Sequence, residues 1–146
     1  MTQFRHFIGL MSGTSVDAVD AALVAFRPDE KTQLICTHSL TLPTNLKTRI
    51  IAAQTDADTT IQEVCEQDVE LSLLYASAVE SLLVKAGVSA SDVEAIGNHG
   101  QTLRHAPGAH HPFILPIGDY RRLAGLLDRC FRIGLRGDAP RFEICW

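Results

Sequence analysis

No stretch of this 146-residue chain approaches the ~20 consecutive apolar residues of a membrane-spanning helix, and only Arg5 and His6 precede the first apolar run. A spanning segment and a secretory leader are therefore not expected, and the expected location is the cytoplasm. The chain has four cysteines, Cys36, Cys65, Cys130 and Cys145, with no C-x-x-C pair among them. That scatter excludes a zinc ribbon or a disulfide framework and reads as reduced thiols. His105, His110 and His111 match no helical or hairpin spacing of metal ligands, and Pro107-Gly108 interrupts them. They read as a polar loop, with a histidine-dependent metal hydrolase as the third-ranked alternative. The net charge is −4, and neither nucleic acid nor membrane is an expected partner.

What is present is a chain 46% apolar and 21% charged, enough for one domain with a real core and too short for two. Phe7 to Met11 and Ala21 to Phe26 are strand-length apolar runs, and Leu34 to Leu42 alternates as a third strand. Short turns between them predict an antiparallel meander. Pro43 and Thr44 open a helix to about Gln54, with Leu46, Ile50 and Ile51 on its buried side. From Thr60, the residues Ile61, Val64, Cys65, Leu71, Tyr75, Ala78, Val79, Leu82, Leu83 and Ala86 recur near helical spacing until Gly87, a natural C-cap. Ser89 to Asp92 has capping-box spacing, and Val93 to Gly97 reads as a short core strand. The pattern alone indicates an α/β or α+β domain.

Two polar clusters interrupt this framework. Between the first two strands lies Gly13-Thr14-Ser15-Val16-Asp17-Ala18-Val19-Asp20. Gly9 and Gly13 permit close backbone approach, Ser12, Thr14 and Ser15 offer hydroxyls and N–H groups to a phosphate, and Asp17 and Asp20 could hold Mg²⁺ directly or through water. An ordinary hairpin turn, with its aspartates capping N–H groups, would use the same residue types. The second cluster, His99, Gln101, Thr102, Arg104 and His105, directly follows the predicted core strand, where ligand-binding loops are common. Gln101 offers a donor and an acceptor to sugar hydroxyls or an acetamido group, and Arg104 a partner for a carboxylate or phosphate. A solvated loop is the alternative.

Ile8 to Asp20 resembles the N-terminal signature of the anhydro-N-acetylmuramic acid kinases, close to I-G-L-M-S-G-T-S-x-D-G-x-D. Ile96 to Pro107 resembles their I-G-S-H-G-Q-T-x-R-H-x-P, and Pro112 to Asp119 their P-F-T-x-Q-I-G-D. The departures are Ala18 for Gly, Asn98 for Ser and Pro116 for Gln. The resemblance implies most of one ribonuclease-H-like lobe of the actin, sugar kinase and Hsp70 superfamily over residues 1–119. It implies ATP and Mg²⁺ as cofactors, with Gly13, Thr14, Ser15, Val16, Asp17, Ala18, Val19 and Asp20 at the nucleotide and His99, Gln101, Thr102 and Arg104 at the amino sugar. The implied reaction hydrolyses the 1,6-anhydro ring and phosphorylates O6 to give N-acetylmuramic acid 6-phosphate for peptidoglycan recycling. The full-length family tends to dimerise. Its catalytic aspartate belongs to a D-F-R segment that has no counterpart here, so no catalytic base is assigned. The alternative is an inactive ligand-binding lobe.

Residues 120–146 differ in character, with six arginines and three acids against seven basic and fourteen acidic residues before them. They lack a strong periodicity and read as an irregular tail, either a basic appendage or the product of a shifted reading frame in a GC-rich gene. Translating all three frames from the codon for Ile117 onward checks this. A frame encoding D-F-R and G-G-Q-G-A-P is the expected result, and its absence makes the basic tail authentic.

Overall fold

The computed structural model describes residues 4–26, 32–55, 58–118, 130–136 and 139–144, the last two segments as backbone strands. Strand β1 (Arg5–Ser12) turns into β2 (Ala18–Phe26), which pairs with β3 (Gln33–Thr41), both junctions antiparallel. This is the expected meander. Helix α1 (Thr44–Thr55) and the 26-residue α2 (Ile61–Ala86) follow, and the chain returns through β4 (Val93–Asn98), parallel to β1. Strands β5 (Gln101–Ala106) and β6 (Phe113–Ile117) make a separate antiparallel hairpin. Strand β7 (Cys130–Arg136) runs parallel to β4, and β8 (Ala139–Ile144) antiparallel to β7. The main sheet has the order β3-β2-β1-β4-β7-β8.

Alternation along the strands decides which side of this sheet is covered. Ile8 and Leu10 of β1, Val19, Ala21 and Leu23 of β2, and Ile96 of β4 are buried together with Leu71, Tyr75, Ala78, Val79 and Leu82 of α2. The spacing of those helical residues puts one stripe on the sheet, each large side chain supplying about 1.5–3 kcal/mol by leaving water. Alternation puts Phe7, Gly9 and Met11 of β1 with Asp20, Ala22 and Phe26 of β2 on the other side, where Met11 and Phe26 are exposed. Strand β3 closes one edge and leaves Leu34 and Ile35 exposed. Across the helices, Arg49 of α1 pairs with Glu70 of α2 at 2.6 Å, an exposed clamp that adds little beside the apolar seam.

Both ends of α2 are set by local chemistry. Thr60 Oγ1 accepts from the Glu63 backbone N–H and the Glu63 carboxylate accepts from the Thr60 N–H, a reciprocal capping box. At the other end Gly87 adopts φ 65°, and its N–H reaches the carbonyls of Leu83 and Val84. The T-x-x-E signal was present in the sequence but the box was expected at Ser89 to Asp92. There the structure has a single 3₁₀ turn, Ala90–Asp92, with no side-chain cap, and Ser89 Oγ bonds Ser91 Oγ instead.

Four further expectations need correction. Ile51 is exposed and Ala53 takes its place in the core, because α1 presents a narrow stripe to its neighbours. Ile61 and Cys65 are exposed, and the first buried residue of α2 is Gln67. The second polar cluster lies mainly on strand β5, not in a loop, since pairing with β6 satisfies its backbone. The tail is not irregular throughout: sheet pairing organises β7 and β8 where side-chain periodicity is weak. Asp119, Tyr120 and the rest of the interval to 129 lie outside the described residues.

Gly118, just after β6, is a tight point of this fold, with φ 100° and an ideal Cβ only 2.5 Å from Tyr75 Cε2. Gly118→Ala combines backbone strain with overpacking and is expected to cost about 2–3 kcal/mol. A lowered urea midpoint checks it.

Candidate functional site

The β1–β2 turn is held by a bond from Val16 N to Gly13 O at 3.0 Å, and Leu42 N donates to Asp17 O at 2.9 Å. Val16 itself has φ 54° with its side chain fully buried. A β-branched residue in the left-handed region stores on the order of 1–3 kcal/mol, retained here because the core grips the side chain. The turn thus exposes Thr14 and Ser15 while Val16 and Val19 are core residues. Of the eight residues expected at the nucleotide, Val16 and Val19 can offer it only backbone.

The two aspartates of the turn have different surroundings. Asp17 forms an ion pair with Lys47 of α1, and this bond, followed by one from Ser15, holds its carboxyl below the usual aspartate range. Asp20 stands exposed on β2, opposite Met11, on the face away from α2. It lines an open pocket of about 780 Å³ whose walls include Met11, Ser39 and His99, with Gly9 and Gly97 among its lining. A Cβ built on Gly9 would meet nothing within 4 Å, so the pocket is open above that residue. Asp20 of the first cluster and His99 of the second are therefore brought to one pocket, across the β1–β4 junction. His99 is steadied by its own N–H, which donates to Leu10 O at 3.2 Å, and by Nδ1 lying 3.2 Å from Gly100 O.

Other residues of the second cluster are committed differently. Gln101 is buried, and its Oε1 accepts from Ser12 Oγ at 2.7 Å, so its carbonyl is spent within the protein. Ser12 Oγ also lies 2.7 Å from the Tyr75 hydroxyl, which burial pushes up to about pKa 12 and keeps protonated. The Thr102 carbonyl accepts from Gln54 Nε2 at 2.9 Å, fastening β5 to α1. Arg104 is half-buried on β5. His105, His110 and His111 are exposed, the last two with ring centroids 4.4 Å apart. No group of three or more His, Cys, Asp or Glu that could hold a metal ion occurs among the described residues, and no helix among them is long and apolar enough to cross a membrane. The bracing partners Tyr75, Lys47 and Gln54 escaped sequence reasoning. For Tyr75 the signal was a phenol in the middle of an apolar helical stripe, where a buried hydroxyl needs a partner.

Comparison with known proteins decides the lineage of these clusters. The model of the anhydro-N-acetylmuramic acid kinase family matches residues 5–130, which include both clusters. The chain belongs to this kinase family. An anhydro-N-acetylmuramic acid kinase of Coxiella burnetii (strain RSA 493 / Nine Mile phase I) is 48% identical over 122 residues, covering 84% of this chain and 32% of the relative. One of Idiomarina loihiensis is 44% identical over 121 residues, covering 83% and 33%, and one of Vibrio vulnificus (strain CMCP6) is 42% identical over 124 residues, covering 85% and 33%. The chain thus spans about a third of the length of these curated kinases. The family match continues past Asp119, where the sequence reading placed the change of character, and reaches the first residue of β7.

The Asp17–Lys47 pair gives this hairpin a pH signature. A carboxyl held low in the folded state stabilises it above the unfolded-state value, and that contribution disappears as pH falls through the lowered one. Carboxyl-carbon NMR is expected to show Asp17 titrating below ordinary aspartates, and Lys47→Met to move its midpoint upward. An unchanged midpoint in that variant refutes the tether.

Proposed function

We propose that this chain forms the ligand-binding lobe of an ATP-dependent kinase acting on anhydro-N-acetylmuramic acid. The observation that carries the reading is the meeting of Asp20 and His99 at one pocket, within a chain that belongs to this kinase family. The strand order β3-β2-β1-β4-β7, antiparallel at first and parallel from β1 onward, supports a ribonuclease-H-like lobe of the sugar kinase superfamily. Family membership is the ground on which the reading places this chain in the cytoplasm and in peptidoglycan recycling.

In this reading the exposed Thr14 and Ser15, with the backbone from Gly13 to Ala18, receive the nucleotide phosphates. Asp20 is the better magnesium partner, because Asp17 would first have to give up Lys47. The magnesium ion would supply charge neutralisation on the phosphates when bound. His99, Thr102 and Arg104 face the sugar, and Gln101 contributes its amide nitrogen, since its carbonyl is taken by Ser12. The overall reaction adds water across the anhydro bridge: the water oxygen bonds C1, the C1–O6 bond breaks, and O6 attacks the γ-phosphorus as the bond to ADP breaks. The water proton must pass to a carboxylate, and none of Asp17, Asp20 and Asp119 corresponds to the family base. We therefore assign ligand binding to this chain, with residues 120–146 a separate segment from the 1–119 lobe.

Calorimetry at millimolar ligand is expected to show Mg·ATP binding that Asp20→Ala weakens roughly tenfold, as for loss of a charge-assisted contact. The purified chain is expected to transfer no phosphate from ATP to the anhydrosugar. Absence of heat overturns the binding lobe, and turnover abolished by Asp20→Ala overturns the assignment of binding without catalysis.

A further inference from the structure

Proton accounting around Ser12 fixes the direction of a buried hydrogen-bond chain. A hydroxyl carries one proton, and Ser12 Oγ lies 2.7 Å from both the Gln101 carbonyl oxygen and the Tyr75 hydroxyl. A carbonyl oxygen only accepts, so Ser12 donates to Gln101 and Tyr75 donates to Ser12. Turning the Gln101 amide over would set its oxygen 3.5 Å from the Thr102 carbonyl oxygen, where the nitrogen now donates. It would also leave one buried hydroxyl proton of the pair without an acceptor, a costly arrangement. The direction Tyr75 to Ser12 to Gln101 is therefore set by the site itself.

The same helix reaches the third matched segment. Asp68, two turns before Tyr75, accepts from Gly118 N at 2.7 Å. Asn98 Nδ2 donates to Gly118 O at 3.1 Å, while Asn98 Oδ1 accepts from Gly100 N at 2.9 Å. Gly118 packs on the Tyr75 ring so closely that no Cβ fits. Ser12 ends β1 at the phosphate hairpin, Gln101 begins β5 beside His99, and Gly118 follows β6.

We propose that Tyr75 is a positioning residue, its hydroxyl joining the phosphate hairpin to the sugar-facing strand through Ser12 and Gln101 so that the two ligand segments keep a fixed spacing. The role rests on the function proposed above only for the identity of the ligands; the coupling itself belongs to the fold. It leaves Gln101 only donor capacity, from an amide nitrogen that already approaches the Thr102 carbonyl at 3.5 Å.

Tyr75→Phe keeps the ring and removes only the hydroxyl. Amide exchange by NMR on the full chain is expected to accelerate about fivefold or more at Val16 and Gly100, on either side of the bridge, consistent with loss of one buried hydrogen bond. Val79→Ala truncates the same helix face without touching a polar group, and is expected to accelerate exchange across α2 and its sheet without singling out those two amides. Ser12→Ala, which removes the middle of the chain, should reproduce the Tyr75→Phe pattern. Wild-type rates at Val16 and Gly100 in both hydroxyl variants, or the diffuse pattern of Val79→Ala, overturn the proposal. In the same samples Mg·ATP affinity should fall about fivefold in Tyr75→Phe. If wild type binds no Mg·ATP, the nucleotide reading fails while the exchange pattern still decides the positioning role.

Discussion

Everything in the described fold leans on one contact, the burial of the α2 stripe against one side of the sheet, with β2 and β3 nearest the helix. Leu71, Tyr75, Val79 and Leu82 are fully buried there, within the hydrophobic core cluster of the described residues. Burial of this kind is non-directional, so by itself it would hold the helix without specifying where the loops at the end of the sheet point. Direction comes from the few polar atoms embedded in the layer. The Tyr75 hydroxyl and the Asp68 carboxylate are placed by the apolar packing and then fasten Ser12 and Gly118. Hydrophobic area supplies the grip, and the buried hydrogen bonds supply the alignment.

This division of labour explains what was legible in the residues. The meander, both helices and the returning strand were read from periodicity, because Val19, Ala21 and Leu23 alternate and Leu71, Tyr75, Val79 and Leu82 recur at helical spacing. The hairpin β5–β6 was not, since His99 to Arg104 carries the residues of a ligand loop and its strand character depends on pairing with a distant segment. Ile51 was misplaced because two adjacent isoleucines on a short helix cannot both face one neighbour. In sequence Asp20 ranked ahead of Asp17 at the nucleotide, though both carry the same side chain three positions apart in one motif. Only the fold shows that Lys47 occupies the first while the second faces open space.

Family membership and geometry bear on different questions. The match over residues 5–130 fixes the lineage, while the chain's span of about a third of its curated relatives leaves their chemistry to be tested on this chain directly. What the structure adds is a separation of tasks among the matched residues. Asp20 and His99 face a ligand-sized space, Asp17 and Gln101 brace it, and Val16 and Val19 anchor it from the core. Motif residues that look alike on paper thus divide into those that line the pocket, those that hold neighbouring segments and those that fill the core.

The uncovered edge at β3 carries a consequence for the behaviour of the chain in bulk. Among the described residues its outer side pairs with no further strand, Lys85 Nζ of α2 donates to the Thr37 carbonyl at 2.9 Å, and the adjacent Leu34 and Ile35 are 60% and 42% exposed. Such an edge is a template for a strand from another molecule, and here neither a proline nor a charged side chain interrupts the run from Gln33 to Thr41. Natural sheets usually carry a gatekeeper at this place. Here that role falls to Lys85, which reaches β3 from the last turn of α2, so the yield of monomer under crowding becomes a contest between the closing of α2 over its own sheet, which brings the lysine to the edge, and recruitment by a neighbour.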